Sequence, residues 1–136
     1  MADSPKSVTA SIGSELYKTT LKTDRHTIIG DEPQDLGGQD LGPEPTDFLL
    51  ASLASCTAIT LRMYVNRKGW NVEEINVQVS INQEVIDGKP KTTFIRMVDA
   101  KGELDDEQRS RLVAIANACP VHKILSNPIE IQTSLG

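Results

Sequence analysis

The feature that most constrains this chain is a run of apolar and small residues from Phe48 to Leu61. Leucine, alanine and isoleucine fill most of its positions, and only small polar residues stand between them. A helix formed by such a run has no hydrophilic face, so it must be buried on most sides. The run has 14 residues, fewer than the roughly 20 that a membrane span needs. We therefore expect a buried helix in a soluble protein.

Flanking residues give this helix a start and a stop. Thr46 or Asp47 can cap its first turn, and the carboxylate of Asp47 complements the positive end of the helix dipole. Basic side chains return at Arg67 and Lys68, and Gly69 ends the helix. A chain of 136 residues struggles to surround a helix of about six turns by itself. We therefore expect a second subunit to cover it.

Alternating patterns on both sides of the helix predict strands. Residues 8–29 alternate loosely, with a turn signal at Gly13-Ser14, and indicate a hairpin followed by a further strand. Residues 75–82 alternate strictly between apolar and polar side chains, as in an antiparallel strand with one solvated face. A turn signal at residues 87–90 separates this strand from another at residues 92–98.

The C-terminal part of the sequence predicts a second helix and, after a break, a further helical turn. Asp105 and Gln108 form a capping-box pattern that opens a helix through about Asn117. Pro120 then breaks or restarts the helix.

Ile129 and Ile131 suggest a last strand. The order of elements predicts the α+β class and a single domain over residues 1–136, with a flexible tail at residues 1–7. Residues 30–47 are rich in glycine and proline, and predict either a solvated, mobile linker or a loop that lies over a site.

Composition excludes several classes of protein. The chain has 14 basic and 19 acidic side chains and a formal net charge of −5, which argues against nucleic-acid binding through phosphates. Two cysteines are too few for a disulfide-stabilised secreted scaffold. The start, MADSPKS, has no apolar segment of the kind found in signal peptides. We expect a cytoplasmic protein with reduced thiols.

Both cysteines are candidates for chemistry, and each has an inert alternative. Cys56 lies within the apolar helix, where a free cysteine often acts only as a small buried apolar residue. Cys119 precedes Pro120, so it can stand at the N-cap of a new helix, where backbone amides stabilise a thiolate. His122 and Lys123 could add a positive charge nearby. The local sequence leaves an activated and an inert Cys119 both open.

Other chemistry is weakly supported by the sequence. Zinc could use Cys56, Cys119, His122 and His26, but only Cys119 and His122 have the short spacing typical of zinc ligands. No G-x-S-x-G motif of a serine hydrolase is present. The glycines at 37–38 are not followed by the lysine and helix of a phosphate-binding loop.

Two separated motifs resemble those of a known family. The run GPEPTDFLLASLASCTAITLRMYVNRKGW covers residues 42–70, with DEP and GG before it, and NACPVHKIL covers residues 117–125. Together they resemble the OsmC/Ohr family of thiol peroxidases, and most closely its OsmC-like branch. Each motif is centred on one of the two cysteines, so the resemblance is specific.

This resemblance implies a fold and an assembly. Family members look like intertwined α+β homodimers, in which antiparallel curved sheets pack on a long buried central helix. Their active sites lie at the subunit interface. The resemblance therefore implies an OsmC-like homodimer with no cofactor, no metal, and no nucleic-acid or membrane partner.

The resemblance also implies roles for the cysteines. Cys56 would be the peroxidatic nucleophile, which attacks the O–O bond of a small organic hydroperoxide, or of hydrogen peroxide, and becomes a sulfenic acid. Cys119 would be the resolving thiol, which condenses with it to a disulfide that an external dithiol reduces. The protein would then be an antioxidant peroxidase of the stress response.

Activating residues are expected beside the nucleophile. In the family's peroxidases an arginine favours the thiolate, and a glutamate ten residues before the cysteine holds that arginine. Here that position is Thr46, and the acid is Asp47, nine residues before Cys56. The first hairpin has no arginine, and Arg25 is the nearest substitute. Arg25 and Asp47 are therefore the candidate activating residues.

Two other interpretations of the same thiols stay open. In one, the protein is a non-catalytic OsmC-fold protein that binds a small apolar ligand or senses redox state. In the other, both cysteines only fill the core, and their sulfurs lie too far apart to form a bridge.

Overall fold

The computed structural model describes residues 6–136, so residues 1–5 of the predicted tail lie outside the described residues. The described residues form two compact units, one that ends at Leu49 and one over Leu50–Gly136. Helices and antiparallel sheets occur together, which confirms the predicted α+β class. The assignment of the whole chain to one domain stays a prediction.

The first unit contains a small antiparallel sheet. Its strands are β1 (Thr9–Ile12), β2 (Thr19–Lys22) and β3 (Thr27–Gly30), in the spatial order β1-β2-β3. The connection between β1 and β2 includes the predicted turn at Gly13-Ser14. The predicted hairpin and further strand are therefore confirmed.

Helix α1 (Pro45–Lys68) begins slightly before the predicted cap. Proline suits the first helical position because its fixed φ is helical and it has no N–H to leave unpaired. The carboxylate of Asp47 accepts a hydrogen bond of 3.2 Å from the backbone N–H of Glu44. Asp47 thus stabilises the first turn from inside the helix, and the predicted cap at Thr46 or Asp47 lies two or three residues too late, because the helix already begins at Pro45.

The C-terminal end of α1 is the predicted one. Gly69 follows the helix with a φ of 70°, which favours glycine because it has no Cβ. The N–H of Gly69 donates to the carbonyl of Asn66, and the N–H of Trp70 donates to that of Val65. This pair of bonds is the Schellman motif, which satisfies carbonyls left open by the last turn.

One face of α1 is buried within this chain. The buried side chains are Leu53, Thr57, Leu61, Tyr64 and Val65. Ile59 and Met63 on another face are 55% and 63% exposed. Burial on most sides is therefore not achieved by this chain alone, and the central helix of a dimer stays a prediction.

Helix α1 is longer than the apolar run that predicted it. At 24 residues it is long and apolar enough, by those two properties alone, to cross a membrane. It is the one helix in residues 6–136 that meets this test, and core helices of soluble proteins meet it too.

The second unit contains a long hairpin. Strands β4 (Val72–Ile86) and β5 (Lys89–Gly102) pair antiparallel along almost their whole length. Asp87 and Gly88 connect them with φ values of 52° and 74°, the backbone of a type I′ turn, which matches the twist of the strands. The two predicted strands are confirmed and are longer than expected.

Two helices follow the hairpin. Helix α2 (Asp106–Ile115) opens with the predicted capping box, in which Asp105 and Gln108 exchange side-chain-to-backbone hydrogen bonds of 2.7 and 2.9 Å. A short 3-10 turn leads to helix α3 (Pro120–Ser126), which starts at the predicted proline.

The predicted last strand around Ile129 and Ile131 is wrong for this chain, because residues 127–136 form no strand. A strand requires a partner for its backbone groups, and neither described sheet pairs with this segment. Ile131 is 85% exposed.

The core of the second unit lies between α1, the hairpin and α2. Its buried members are Leu61, Tyr64, Val65, Val72, Ala100 and Leu112. This core fixes α1 against the hairpin and so positions the residues that follow.

Candidate active site

The structure brings the two cysteines together. Cys56 lies in α1 and is half-buried, while Cys119 is fully buried at the N-cap of α3. Both are free thiols, and they lie close enough that each shifts the pKa of the other. The interpretation of both cysteines as core residues expected sulfurs too far apart to form a bridge, and the formation of a bridge stays a prediction.

Cys119 sits among hydrogen-bond donors, as its predicted N-cap position indicates. Its sulfur accepts a hydrogen bond of 3.5 Å from the backbone N–H of His122. Burial raises the pKa of the Cys119 thiol, but hydrogen bonds from Cys56, His122, Thr57 and Val121 outweigh burial. The net effect is a pKa below the ordinary value of a cysteine, because these donors stabilise the thiolate.

Cys56 has the opposite balance. Burial raises the pKa of its thiol, and the neighbouring Cys119 raises it further through the shared hydrogen bond and through charge repulsion. The backbone N–H of Val121 and the hydroxyl of Thr60 oppose this effect but are weaker. When the pair loses one proton, the negative charge therefore rests on Cys119, and Cys56 is the thiol that donates to it.

An arginine that the sequence did not reveal lies beside this pair. Arg96 of β5 donates from Nη1 to Oγ1 of Thr57 at 3.2 Å. Its Nη2 donates to Oδ1 of Asn117 at 2.9 Å and lies 3.2 Å from Nδ1 of His122. Because a guanidinium can only donate, Nδ1 of His122 is the acceptor, and the histidine is neutral in this arrangement.

The strand pattern held a signal for Arg96, but neighbouring residues concealed it. Phe94, Arg96 and Val98 share the inward face of β5, while Ile95 and Met97 face outward and are exposed. Because both faces carry apolar side chains, sequence alternation does not show which face is buried. A charge on the inward face is visible only once the strand is packed.

Arg25 and Asp47, the predicted activating residues, belong to the first unit, whereas both cysteines belong to the second. Arg25 lies in the turn between β2 and β3, where its backbone N–H donates to the hydroxyl of Thr23. Asp47 binds a backbone amide at the start of α1. Their activating role stays a prediction.

A small cavity of about 160 Å³ lies beside Arg96 and His122. Its lining residues are Leu53, Phe94, Arg96, His122, Leu125 and Ser126. Leu53 lies one helical turn before the thiol pair's Cys56, and His122 lies one turn after Cys119. The cavity therefore combines apolar walls with a guanidinium and an imidazole.

In the first unit, the loop at residues 30–47 is organised by one buried carboxylate. Asp31 is 3% exposed and accepts hydrogen bonds from the backbone N–H groups of Tyr17, Glu32, Gln39 and Leu41. Burial raises the pKa of Asp31, but these four donors outweigh burial and lower it. The interpretation of this segment as a mobile linker is therefore not supported, because its backbone is held at several points.

Two close approaches in this loop require glycine. A Cβ on Gly38 would collide with the carbonyl of Glu32, and a Cβ on Gly42 would collide with that of Ile29. The glycines thus allow the loop to fold tightly around Asp31.

Within residues 6–136 no group of three or more histidine, cysteine or acidic side chains is arranged to hold a metal ion. Of the four residues considered for zinc, Cys119 and His122 are neighbours, but the contact to sulfur comes from the backbone N–H of His122. The imidazole Nδ1 of His122 faces Arg96 instead.

Known proteins share this fold. A family model described as OsmC-like protein matches residues 37–134. The solved OsmC like protein from Mycoplasma pneumoniae is 19% identical, with a TM-score of 0.75 over 91% of this chain and 89% of that chain. An organic hydroperoxide resistance protein from Elizabethkingia anophelis is also 19% identical, with a TM-score of 0.70 over 95% and 93% of the two chains.

The organic hydroperoxide resistance protein OhrB of Bacillus subtilis is 25% identical, with a TM-score of 0.63 over 92% of this chain and 93% of that chain. No curated protein matches the sequence at a significant level. The solved structures confirm the expected fold class, with antiparallel sheets and helices in a mixed α+β arrangement.

Proposed function

The chain belongs to the OsmC-like protein family, and from that premise we propose that it reduces organic hydroperoxides through Cys56 and Cys119. The observation that carries this proposal is that the two thiols, which are 63 residues apart in sequence, are neighbours in the fold and shift each other's pKa. Several solved proteins of the same fold are described as organic hydroperoxide resistance proteins. A pair of adjacent thiols is the minimum that a dithiol peroxidase needs.

The first step consumes the peroxide. The Cys119 thiolate can take the proton of Cys56, because the two side chains are neighbours. The Cys56 thiolate then attacks the outer oxygen of the hydroperoxide, the O–O bond breaks, and the alkoxide leaves with that proton as an alcohol. Cys56 is oxidised to a sulfenic acid, and the peroxide is reduced.

The second step closes a disulfide. The Cys119 thiolate attacks the sulfur of the Cys56 sulfenic acid, and hydroxide leaves and is protonated to water. Its lowered pKa makes Cys119 a thiolate when it is needed. An external dithiol then reduces the disulfide and returns both thiols.

The cavity lined in part by Leu53, Phe94 and Leu125 supports an organic substrate. At about 160 Å³ it lies below the roughly 300–1,000 Å³ typical of sites for drug-sized ligands. We therefore infer a hydroperoxide with a compact apolar group, and hydrogen peroxide as a possible smaller substrate.

We also propose a homodimer and a cytoplasmic location. The exposed Ile59 and Met63 lie one turn apart on α1, so they form an apolar strip that a second copy could cover. Two free, adjacent thiols suit a reducing compartment.

Arg25 and Asp47 are retained as proposed activating residues. If either acts, then R25A or D47N lowers the rate of Cys56 oxidation without unfolding the protein. Unchanged rates in both variants would remove them from the mechanism.

Peroxide consumption by the reduced protein tests the proposed function. The wild type should turn over cumene hydroperoxide or tert-butyl hydroperoxide with a dithiol donor. C56S should abolish turnover, and C119S should abolish recycling after at most one oxidation. If the wild type shows no turnover with any dithiol, the proposed peroxidase activity is refuted.

The raised pKa of Cys56 favours a second function, which is redox sensing or binding of a small apolar ligand without turnover. A mostly protonated thiol reacts slowly with peroxide, because the thiolate is the nucleophile. In that case the wild type forms a disulfide on a slow time scale, and no dithiol supports repeated turnover.

A further inference from the structure

We propose that Arg96 is the positioning residue of the thiol pair, acting through Thr57, whose hydroxyl it holds, and through His122, whose backbone N–H donates to Cys119. The proposal rests on the proposed function only in taking this pair as the reactive site. The arginine cluster, defined here as Thr57, Arg96, Asn117 and His122, is joined by hydrogen bonds from one guanidinium. It connects β5 to α1 and to the segment around α3.

The contact with Thr57 fixes what its hydroxyl can do. Thr57 is fully buried, and its oxygen accepts a hydrogen bond from Nη1 of Arg96 at 3.2 Å. The single hydroxyl hydrogen is donated to the carbonyl of Leu53 at 2.7 Å. Arg96 and Leu53 together fix the side chain of Thr57, the residue that directly follows Cys56.

The contact with His122 holds the second donor. The backbone N–H of His122 donates to the Cys119 sulfur, and its imidazole accepts from Arg96. A side chain anchored on its ring restrains the first turn of α3, and so the direction of that N–H. Asn117, which precedes Cys119 by two residues, is anchored by the same guanidinium.

The charge of Arg96 adds to these contacts. Within residues 6–136 the ion pairs are Lys101 with Glu74 and Arg109 with Asp99, so no carboxylate neutralises Arg96. Its acceptors are a hydroxyl, an amide and an imidazole, all neutral. A half-buried cation without a counter-ion favours a nearby anion, and Arg96 is linked to the sulfur of Cys119 through His122.

Thiolate formation in the reduced full-length protein tests this inference in the absence of peroxide. The ultraviolet absorbance of thiolate, followed against pH, gives the first apparent pKa of the pair. R96M should raise this pKa by about one pH unit, and R96K, which keeps the charge but not the planar fork, should restore part of it. R62M is the matched control, because Arg62 is a half-buried arginine bonded to the backbone carbonyls of the β4 start.

N117A is a milder variant that preserves folding, because Asn117 is exposed and supplies only one of the three acceptors of Arg96. It should raise the first pKa by less than R96M does. If R96M fails to fold, unchanged titrations of both R96K and N117A overturn the inference. The inference is also overturned if a folded R96M protein has the same first thiol pKa as the wild type, or if R62M shifts this pKa as much as R96M does.

This experiment separates the inference from the proposed function. A wild type that titrates as expected and responds to R96M, yet reduces no peroxide, refutes the peroxidase and leaves the role of Arg96 intact. A wild type that reduces peroxide while R96M titrates unchanged refutes the role of Arg96 alone.

Discussion

Nη1 of Arg96 lies 3.2 Å from Oγ1 of Thr57, although 39 residues separate them in the chain. Thr57 directly follows Cys56, and Arg96 also contacts His122, whose backbone N–H donates to Cys119. Arg96 therefore holds a neighbour of each thiol.

Replacing Thr57 by valine removes the hydroxyl while keeping the shape of the side chain. T57V should destabilise the protein by about 1–3 kcal/mol, because Arg96 loses a buried acceptor. It should also raise the first thiol pKa, because the Thr57 hydroxyl lowers the pKa of Cys119. T57S keeps the hydroxyl and is the control, and denaturant unfolding with thiol titration measures both effects. A T57S that titrates like T57V would contradict this explanation.

Replacing Cys119 by serine should lower the pKa of Cys56. Burial is the largest cause of the raised pKa and remains in the variant, but the charge repulsion from Cys119 is lost, because a serine hydroxyl does not ionise. Sulfenic acid at Cys56 should also persist after peroxide, because no thiol resolves it. Titration of the single thiol and trapping with a sulfenic-acid reagent measure the two effects. An unchanged or higher pKa would contradict the charge assignment.

Replacing Asp31 by asparagine should lower the melting temperature at neutral pH. The amide offers one acceptor oxygen where the carboxylate offers two, so some of the four backbone donors lose their partner. Since folding lowers the pKa of Asp31, its stabilising effect is present above the unfolded pKa and is lost as the pH falls through the folded one. The difference between wild type and D31N should therefore shrink below about pH 4.

The control for this prediction is D35N, because Asp35 lies in the same loop and is exposed. Its melting temperature should match that of the wild type at both pH values. A D31N protein as stable as the wild type at neutral pH would show that the carboxylate does not organise the loop.

Placing a charge on the exposed apolar strip of α1 should disrupt the proposed dimer. I59D and M63D each put a carboxylate where the side chain is exposed in the single chain, so monomer folding should not suffer, whereas burial of the charge at an interface is costly. Light scattering should show a dimer for the wild type and monomers for both variants. I59V and M63L, which keep the strip apolar, are the controls and should stay dimeric. A wild type that is already monomeric would refute the dimer.

Removing the capping box should destabilise the second unit by about 1 kcal/mol. D105A leaves the N–H of Gln108 without its side-chain acceptor. D106A removes a carboxylate from the same turn without breaking the capping box, so it should lower the free energy of unfolding by less. Thermal or denaturant unfolding measures both, and equal losses would show that charge near the helix start, and not the cap, is responsible.

Local chemistry determined several elements of this protein before any packing. The capping box at Asp105, the turn at Asp87 and Gly88, the stop at Gly69 and the N-cap at Cys119 all lie where the sequence predicts them. Each depends on contacts between residues a few positions apart, so a short window of sequence contains the whole interaction.

Only the tertiary structure decided which distant residues meet. It joins Cys56 to Cys119, places Arg96 on Thr57, Asn117 and His122, and gathers four backbone donors around Asp31. Residue type and periodicity show which face of a strand or helix can be buried, but not which partner it meets across the fold. The sequence thus determined the helices, the strands and the two candidate thiols. Packing decided the pKa values of these thiols and the position of Arg96, because hydrogen bonds and electrostatic interactions depend on distance in space and not on distance along the chain.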